Sequence, residues 1–267
     1  PKALGGHTRG INRLGFVGDG ERLLSAGSDG TVRLWSTDGG AEPVVLRGHG
    51  DEIGTMAIAD DGRWAVTGSI DGSLVRWDLH AEAIETSAVA LAGHEGEVRT
   101  VAMSGDGRWL ASGGADRRAR LWSLADGRTT VVLRGHDEAI SALAFGPGSR
   151  RLATGGIDGQ LRVWDLEATH PDETARPLAG HTQTITDLVF VDDDVLASAS
   201  NDGTVRLWQL ASGEAVVLRG HDGPVKRLLA AAGPRADPST RWLVSISYDG
   251  SARLWPTSGE ALADPAG

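Results

Sequence analysis

The sequence predicts an all-β fold built from six four-stranded antiparallel units. Three observations carry that prediction. The dipeptide Gly-His recurs at His7, His49, His94, His136, His181 and His221, at spacings of 42, 45, 42, 45 and 40 residues, and self-similarity at such a period marks a repeat architecture. Each repeat holds four short runs rich in Val, Ile, Leu and Trp, separated by Gly, Asp and Ser, which is the pattern of strands joined by tight turns. No segment sustains the apolar period of an amphipathic helix.

Within a repeat the elements follow in a fixed order. The first strand comes after the His and alternates apolar with polar residues, as in INRLGF or ITDLVF. A polar turn leads to a second apolar run that ends on a hydroxyl, at Ser25, Thr67, Ser112, Thr154, Ser198 and Ser245. Four residues beyond each hydroxyl stands an aspartate: Asp29, Asp71, Asp116, Asp158, Asp202 and Asp249. Asp-Gly, as at Asp202-Gly203, favours a turn with positive φ and opens the third strand. Six residues beyond each aspartate that strand reaches a tryptophan: Trp35, Trp77, Trp122, Trp164, Trp208 and Trp255. The fourth run leads to a leucine three residues before the His, at Leu4, Leu46, Leu91, Leu133, Leu178 and Leu218.

Composition narrows the function classes. The 267 residues, 40% hydrophobic, are enough for a real core and read as one domain over 1–267. A net charge of −10 repels a phosphate backbone, and no basic run offsets it, so no nucleic-acid partner is expected. No stretch approaches the roughly 20 apolar residues of a membrane helix, and no membrane partner is expected. The absence of cysteine excludes disulfides and thiolate metal sites and fits a reducing, cytoplasmic setting. Lys2 and Lys226 are the only lysines, an arginine bias that fits a GC-rich bacterial genome. Pro1 in place of an initiator methionine leads to the expectation that the chain is cut from something longer.

The order GH, then S/T-x-x-x-D-G, then a strand ending in W resembles the WD-repeat β-propeller family, over nearly the whole chain and in six in-phase copies. The resemblance implies four-stranded blades around a central channel. The segment Ala3-Leu4-Gly5-Gly6-His7 looks like a fourth strand that opens the chain, and it is expected to close the ring by completing the sixth blade. A rival strand, Glu260–Ala263, lies too close to Trp255 to match the other repeats.

A Ser, a His and an Asp together invite a nucleophile-relay reading. Six copies, each tied to a Trp that no such relay requires, argue against it. The alternative is a structural tetrad in each blade: the Trp N–H donates to the hydroxyl, the hydroxyl bonds one imidazole nitrogen, and the other imidazole N–H reaches the Asp. This arrangement is known from the family. No catalytic residue, cofactor or metal site is therefore expected. His80 and His170, the histidines outside the repeat, belong to alternate units and do not converge.

Three departures from the pattern stand out. Arg117 replaces the turn glycine in the third repeat, SLVRW in the second exchanges the arginine and apolar positions of TVRLW, and the sixth carries a longer hairpin, Ala230 to Arg241. Trp64, Trp109 and Trp242 are extra aromatics expected to pack along blade edges.

In the family, the turns between strands two and three share a face with the entry to strand one, and partners often dock there. Carried over residue by residue, that face singles out Tyr248, Arg99, Lys226, Ile70, Ile157 and Asn201, because aromatic and cationic residues are typical anchors. The expected function is a non-catalytic scaffold or sensor for a protein or peptide partner, within a larger intracellular signalling protein and as a monomer. The alternatives are an enzyme working at the channel mouth and a self-associating array.

Overall fold

The computed structural model describes residues 3–18, 20–38, 42–232 and 241–257. The chain divides into two compact units, Pro1–Gly135 and His136–Gly267, of three antiparallel sheets each. Every sheet is a meander in chain order. Five have four strands, and the sixth has three among the described residues. The first sheet comprises Ile11–Val17, Arg22–Gly27, Thr31–Ser36 and Val44–Arg47, the fifth Ile185–Phe190, Val195–Ser200, Val205–Gln209 and Ala215–Leu218, and the sixth Val225–Ala232, Arg241–Ser247 and Ala252–Pro256. Helical structure among the described residues is limited to single 3-10 turns at Ile84–Thr86, Pro147–Ser149 and Pro171–Glu173.

The strand expected from the N-terminal segment is not formed, since Ala3–Gly6 belongs to no sheet. Residues 233–240 of the long hairpin and the rival strand at 260–263 lie outside the described residues.

Within each unit the first strands of successive sheets pack on one another. The residue after the tetrad hydroxyl explains how closely they approach. A Cβ on Gly68 would lie 2.7 Å from the Val98 side chain, and one on Gly155 would lie 2.5 Å from Ile185, so these glycines make room for the next sheet. Trp77, Trp122, Trp164 and Trp208 are fully buried. Trp208, for example, packs with Ile185, Phe190 and Leu196. Burial of each such side chain contributes roughly 1.5–3 kcal/mol, the largest single favourable effect in a sheet. Large apolar groups stay exposed on the first sheet, at Leu14 and Phe16, and on the sixth, at Leu229 and Leu254.

One feature of the backbone bears directly on the site. The register between strands one and two slips at the same place in every sheet, between Ile11 and Arg13, Ile53 and Thr55, Ile140 and Ala142, Ile185 and Asp187, and Val225 and Arg227, with the matching slip opposite Val98 and Thr100. The extra residue in these bulges is Asn12, Gly54, Ser141, Thr186, Lys226 and Arg99 respectively. A bulge removes a residue from the ladder and re-aims its side chain.

Two of the sequence departures resolve here. Arg117 holds φ at 65°, in the left-handed region that Gly30 and Gly203 occupy in their own turns, so the turn keeps its form and Arg117 carries the strain. Arg76, at the exchanged position, is buried. Its guanidinium lies 4.4 Å from the Trp64 ring centre and donates to the Leu124 carbonyl, which makes it packing between the second and third sheets rather than a partner surface.

Candidate functional site

The repeated polar set comes together around one hydroxyl in every sheet. The indole N–H of each tetrad tryptophan donates to the Ser or Thr oxygen at 2.8–3.0 Å. The same oxygen lies 2.6–2.8 Å from the Nε2 of the sheet's histidine. His7, His94, His181 and His221 then reach Asp29, Asp116, Asp202 and Asp249 through Nδ1 at 2.8–3.0 Å. Because the indole only donates and the carboxylate only accepts, this pattern calls for a proton on Nδ1; at His94 the Arg120 guanidinium also lies 2.8 Å from that nitrogen. The tautomer is assigned from the bonding.

Two of the six expected His–Asp bonds are absent. In the second sheet His49 Nδ1 meets the Ser73 hydroxyl at 2.6 Å, while Asp71 accepts from the Gly50 and Ser73 amides, so a serine stands between ring and carboxylate. In the fourth sheet His136 Nδ1 is buried without a hydrogen-bond partner among the described residues. Asp158 instead accepts from the Gln160 N–H and occupies the space beside the Gly156 Cα.

In each of the four sheets that have the bond a second side chain donates to the carboxylate. Where the residue two places beyond the aspartate is Thr31, Thr204 or Ser251, its hydroxyl donates to the Asp at 2.6–2.7 Å and braces the carboxylate toward the ring. In the third, where Arg118 stands two places beyond Asp116, that donor is Arg120, at 2.7 Å. Gln160 has no hydroxyl. Sequence reasoning missed this fifth member, although the hydroxyl recurs in four of the six turns, at Thr31, Ser73, Thr204 and Ser251.

The electrostatics match a sealed interior. Burial is the largest influence on His136 and, with Arg162 adding to it against Asp158 and Asp137, holds the ring down at about 4; His49 is likewise held at about 4 by burial, against Asp71. Burial pushes the Asp202 carboxyl up, but bonds from the Thr204 hydroxyl, His181 and the Thr204 amide outweigh it and hold the group at about 2. The six hydroxyls are at most 1% exposed. A nucleophile needs access to its substrate, and these have none. The set braces the sheet and offers no relay chemistry.

The six surface residues singled out by sequence fall into two groups. In the first unit Arg99 is ion-paired with Glu97 at 2.8 Å, and Ile70 is exposed. In the second unit Asn201, Lys226 and Tyr248 meet. The Lys226 ammonium donates to Asn201 Oδ1 at 3.0 Å and sits 4.3 Å from the centre of the Tyr248 ring. Together with Ser141, Thr184, Thr186 and Arg227 they line an open pocket of about 420 Å³. Ile157 is half-buried beside it, its carbonyl accepting from the Thr184 hydroxyl at 3.1 Å.

A backbone bond holds this end of every sheet. The amide just before the repeat aspartate donates to a carbonyl two residues ahead of the bulge, as from Asn201 to Thr184 and, in the sixth sheet, from Tyr248 to Pro224. Arg227 is a pocket residue that the strand alternation hid. Alternation assigns it and Lys226 to opposite faces, and the bulge at Lys226 cancels that rule.

Among the described residues no group of three or more His, Asp or Glu is placed to hold a metal ion.

Comparison with known proteins places the repeats. A family model for the WD domain, G-beta repeat, matches residues 2–36, 41–78, 85–123, 127–165, 173–209 and 214–256. The chain belongs to the WD-repeat family. Its relatives include apoptotic protease-activating factor 1 of Danio rerio, 38% identical over 91 residues, covering 33% of this chain and 7% of the relative. A guanine nucleotide-binding protein subunit beta-like protein of Encephalitozoon cuniculi is 36% identical over 70 residues, 26% of this chain and 21% of the relative. WD repeat-containing protein 86 of Homo sapiens is 42% identical over 55 residues, 21% of this chain and 15% of the relative. The matches thus span about a fifth or less of these relatives' length. WD-repeat domains generally serve as non-catalytic scaffolds that bind proteins.

Proposed function

We propose that this chain is a protein-docking scaffold whose partner contacts the pocket formed by Asn201, Lys226 and Tyr248. The observation that carries the reading is their convergence: three residues of unusual type for their repeat positions meet at one open cavity, while the six tetrad hydroxyls are sealed in the core. Tyr248 is 77% exposed and is the only tyrosine in the chain. An exposed aromatic steadied by a neighbouring cation is a preformed anchor, which lowers the ordering cost of association.

The wider setting belongs to the same proposal: a monomeric module of a larger cytoplasmic signalling protein that binds a polypeptide rather than nucleic acid or membrane. The net charge of −10 and the absence of cysteine support it.

Affinity capture from a cell extract, comparing wild type with Tyr248→Ala and Lys226→Met, tests the site. Each variant should keep the wild-type melting temperature and lose the captured protein at least about tenfold, the effect of truncating one interface anchor. Equal capture by all three would remove this pocket as the docking site.

A further inference from the structure

The bulge residue has a structural duty in three of the sheets, the first, fourth and fifth. Asn12 donates through Nδ2 to the Ile53 carbonyl at 2.9 Å, Ser141 through its hydroxyl to the Ile185 carbonyl at 2.6 Å, and Thr186 to the Val225 carbonyl at 2.6 Å. Each ties its sheet to the first residue of the next. Lys226 is the equivalent residue of the sixth sheet, which no sheet follows within its unit, and its ammonium turns to Asn201 and Tyr248 instead.

The charge of the pocket follows from its lining. Lys226 and Arg227 bring two positive charges, and no aspartate or glutamate lines the cavity. Beneath it, Asp187 Oδ1 lies 3.9 Å from Arg227, and Oδ2 accepts from the Leu228 amide at 2.9 Å. Asp187 offsets the guanidinium, so the pocket keeps one uncompensated cation, the ammonium, on a chain whose net charge is −10. After its bond to Asn201 the ammonium retains two N–H donors, and the Asn201 amide nitrogen adds more. Donors beside a fixed charge favour an anionic acceptor. A single cation matches a carboxylate, with one negative charge, better than a phosphate monoester with close to two.

We infer that this pocket takes an acidic peptide segment, one aspartate or glutamate carboxylate seated on Lys226 and an adjacent apolar side chain packed on Tyr248. The inference rests on the docking role proposed above and names its partner's chemistry. The acidic remainder of the chain repels such a segment elsewhere, so recognition concentrates at this cation.

The test is selection of random peptides of about eight residues on the intact chain, followed by titration of synthetic versions of the selected sequences. The selected peptides should share one Asp or Glu. Exchanging that residue for Gln or Asn, or Lys226 for Met in the protein, should weaken binding about tenfold or more, as expected for loss of a charge-assisted bond. Tyr248→Ala should weaken the acidic and amide peptides by the same factor, and phosphoserine at the acidic position should bind no more tightly than glutamate. Peptides that respond to Tyr248→Ala but bind equally with Glu or Gln would overturn the acidic assignment and leave the docking role standing, and tighter binding of phosphoserine would overturn the single-carboxylate assignment. Recovery of no peptide, or of peptides indifferent to both variants, would overturn the docking site and this inference with it.

Discussion

The fourth and fifth sheets are neighbours in one unit and share a plan, yet they finish their polar networks differently. In the fifth, Trp208, Ser198, His181, Asp202 and Thr204 form an unbroken chain of bonds. In the fourth the chain stops at His136, whose Nδ1 is buried and has no hydrogen-bond partner among the described residues. Both tryptophans are nonetheless fully buried, and both sheets keep four strands in the same register. The comparison teaches that indole packing makes the sheet and the His–Asp bond refines it. A satisfied bond adds only about 0.5–1.5 kcal/mol, against the larger transfer energy of the indole.

The largest test of that ranking is removal of the indoles. Trp208→Ala and Trp164→Ala should each cost about 3–5 kcal/mol in urea unfolding, and by similar amounts. A much smaller loss for Trp164→Ala would mean that network completeness, not packing, governs sheet stability.

Next in size is the carboxylate. Asp202→Ala strands the His181 Nδ1–H and should cost about 1–3 kcal/mol, whereas Asp158→Ala, whose carboxylate His136 does not reach, should cost about 1 kcal/mol or less. Equal losses would break the comparison.

Titration sharpens it further. The folded His136 is held at about 4, well below the ordinary imidazole value, so between those values the unfolded chain binds the proton and the folded chain does not. Stability contributed by the neutral ring is therefore complete above about pH 6.5 and is lost as the pH falls toward 4. His136→Gln should reduce the slope of urea-midpoint profiles across that window and leave the share that His49, also held at about 4, contributes. Asp202, held at about 2, acts lower: its contribution is complete above the ordinary aspartate value and is lost as the pH falls toward 2, and Asp202→Asn should remove that slope.

The smallest expected effect is a repair. Gln160→Thr supplies the missing hydroxyl and should add about 0.5–1.5 kcal/mol, read as a raised urea midpoint with unchanged slope.

Much of this was legible in the sequence because it depends on spacing. Four residues from hydroxyl to Asp and six from Asp to Trp fix which side chains face one another across strands two and three, so Ser198, Asp202 and Trp208 follow from the chain alone. The gap at His136 was not legible, because it turns on whether a second side chain braces the carboxylate, as Thr204 braces Asp202, and the repeat spacing does not fix that. The pocket was half legible: Asn201, Lys226 and Tyr248 stood out by residue type, but their meeting depends on a bulge that period-two alternation cannot register. Arg227 was hidden for the same reason. The N-terminal strand was expected from Leu4 and the Gly-His that follows it, signals that other repeats also carry, whereas Ala3–Gly6 belongs to no sheet among the described residues.

The most direct test of the bracing role is nitrogen-15 NMR of the histidine rings at neutral pH. His7, His181 and His221, whose side chains are at most 3% exposed, should show slowly exchanging, downfield Nδ1–H protons, and His136 should appear as a neutral ring without that downfield signature. Rings at His136 and His181 that exchange rapidly with solvent and titrate near the ordinary imidazole value of about 6.5 would contradict it.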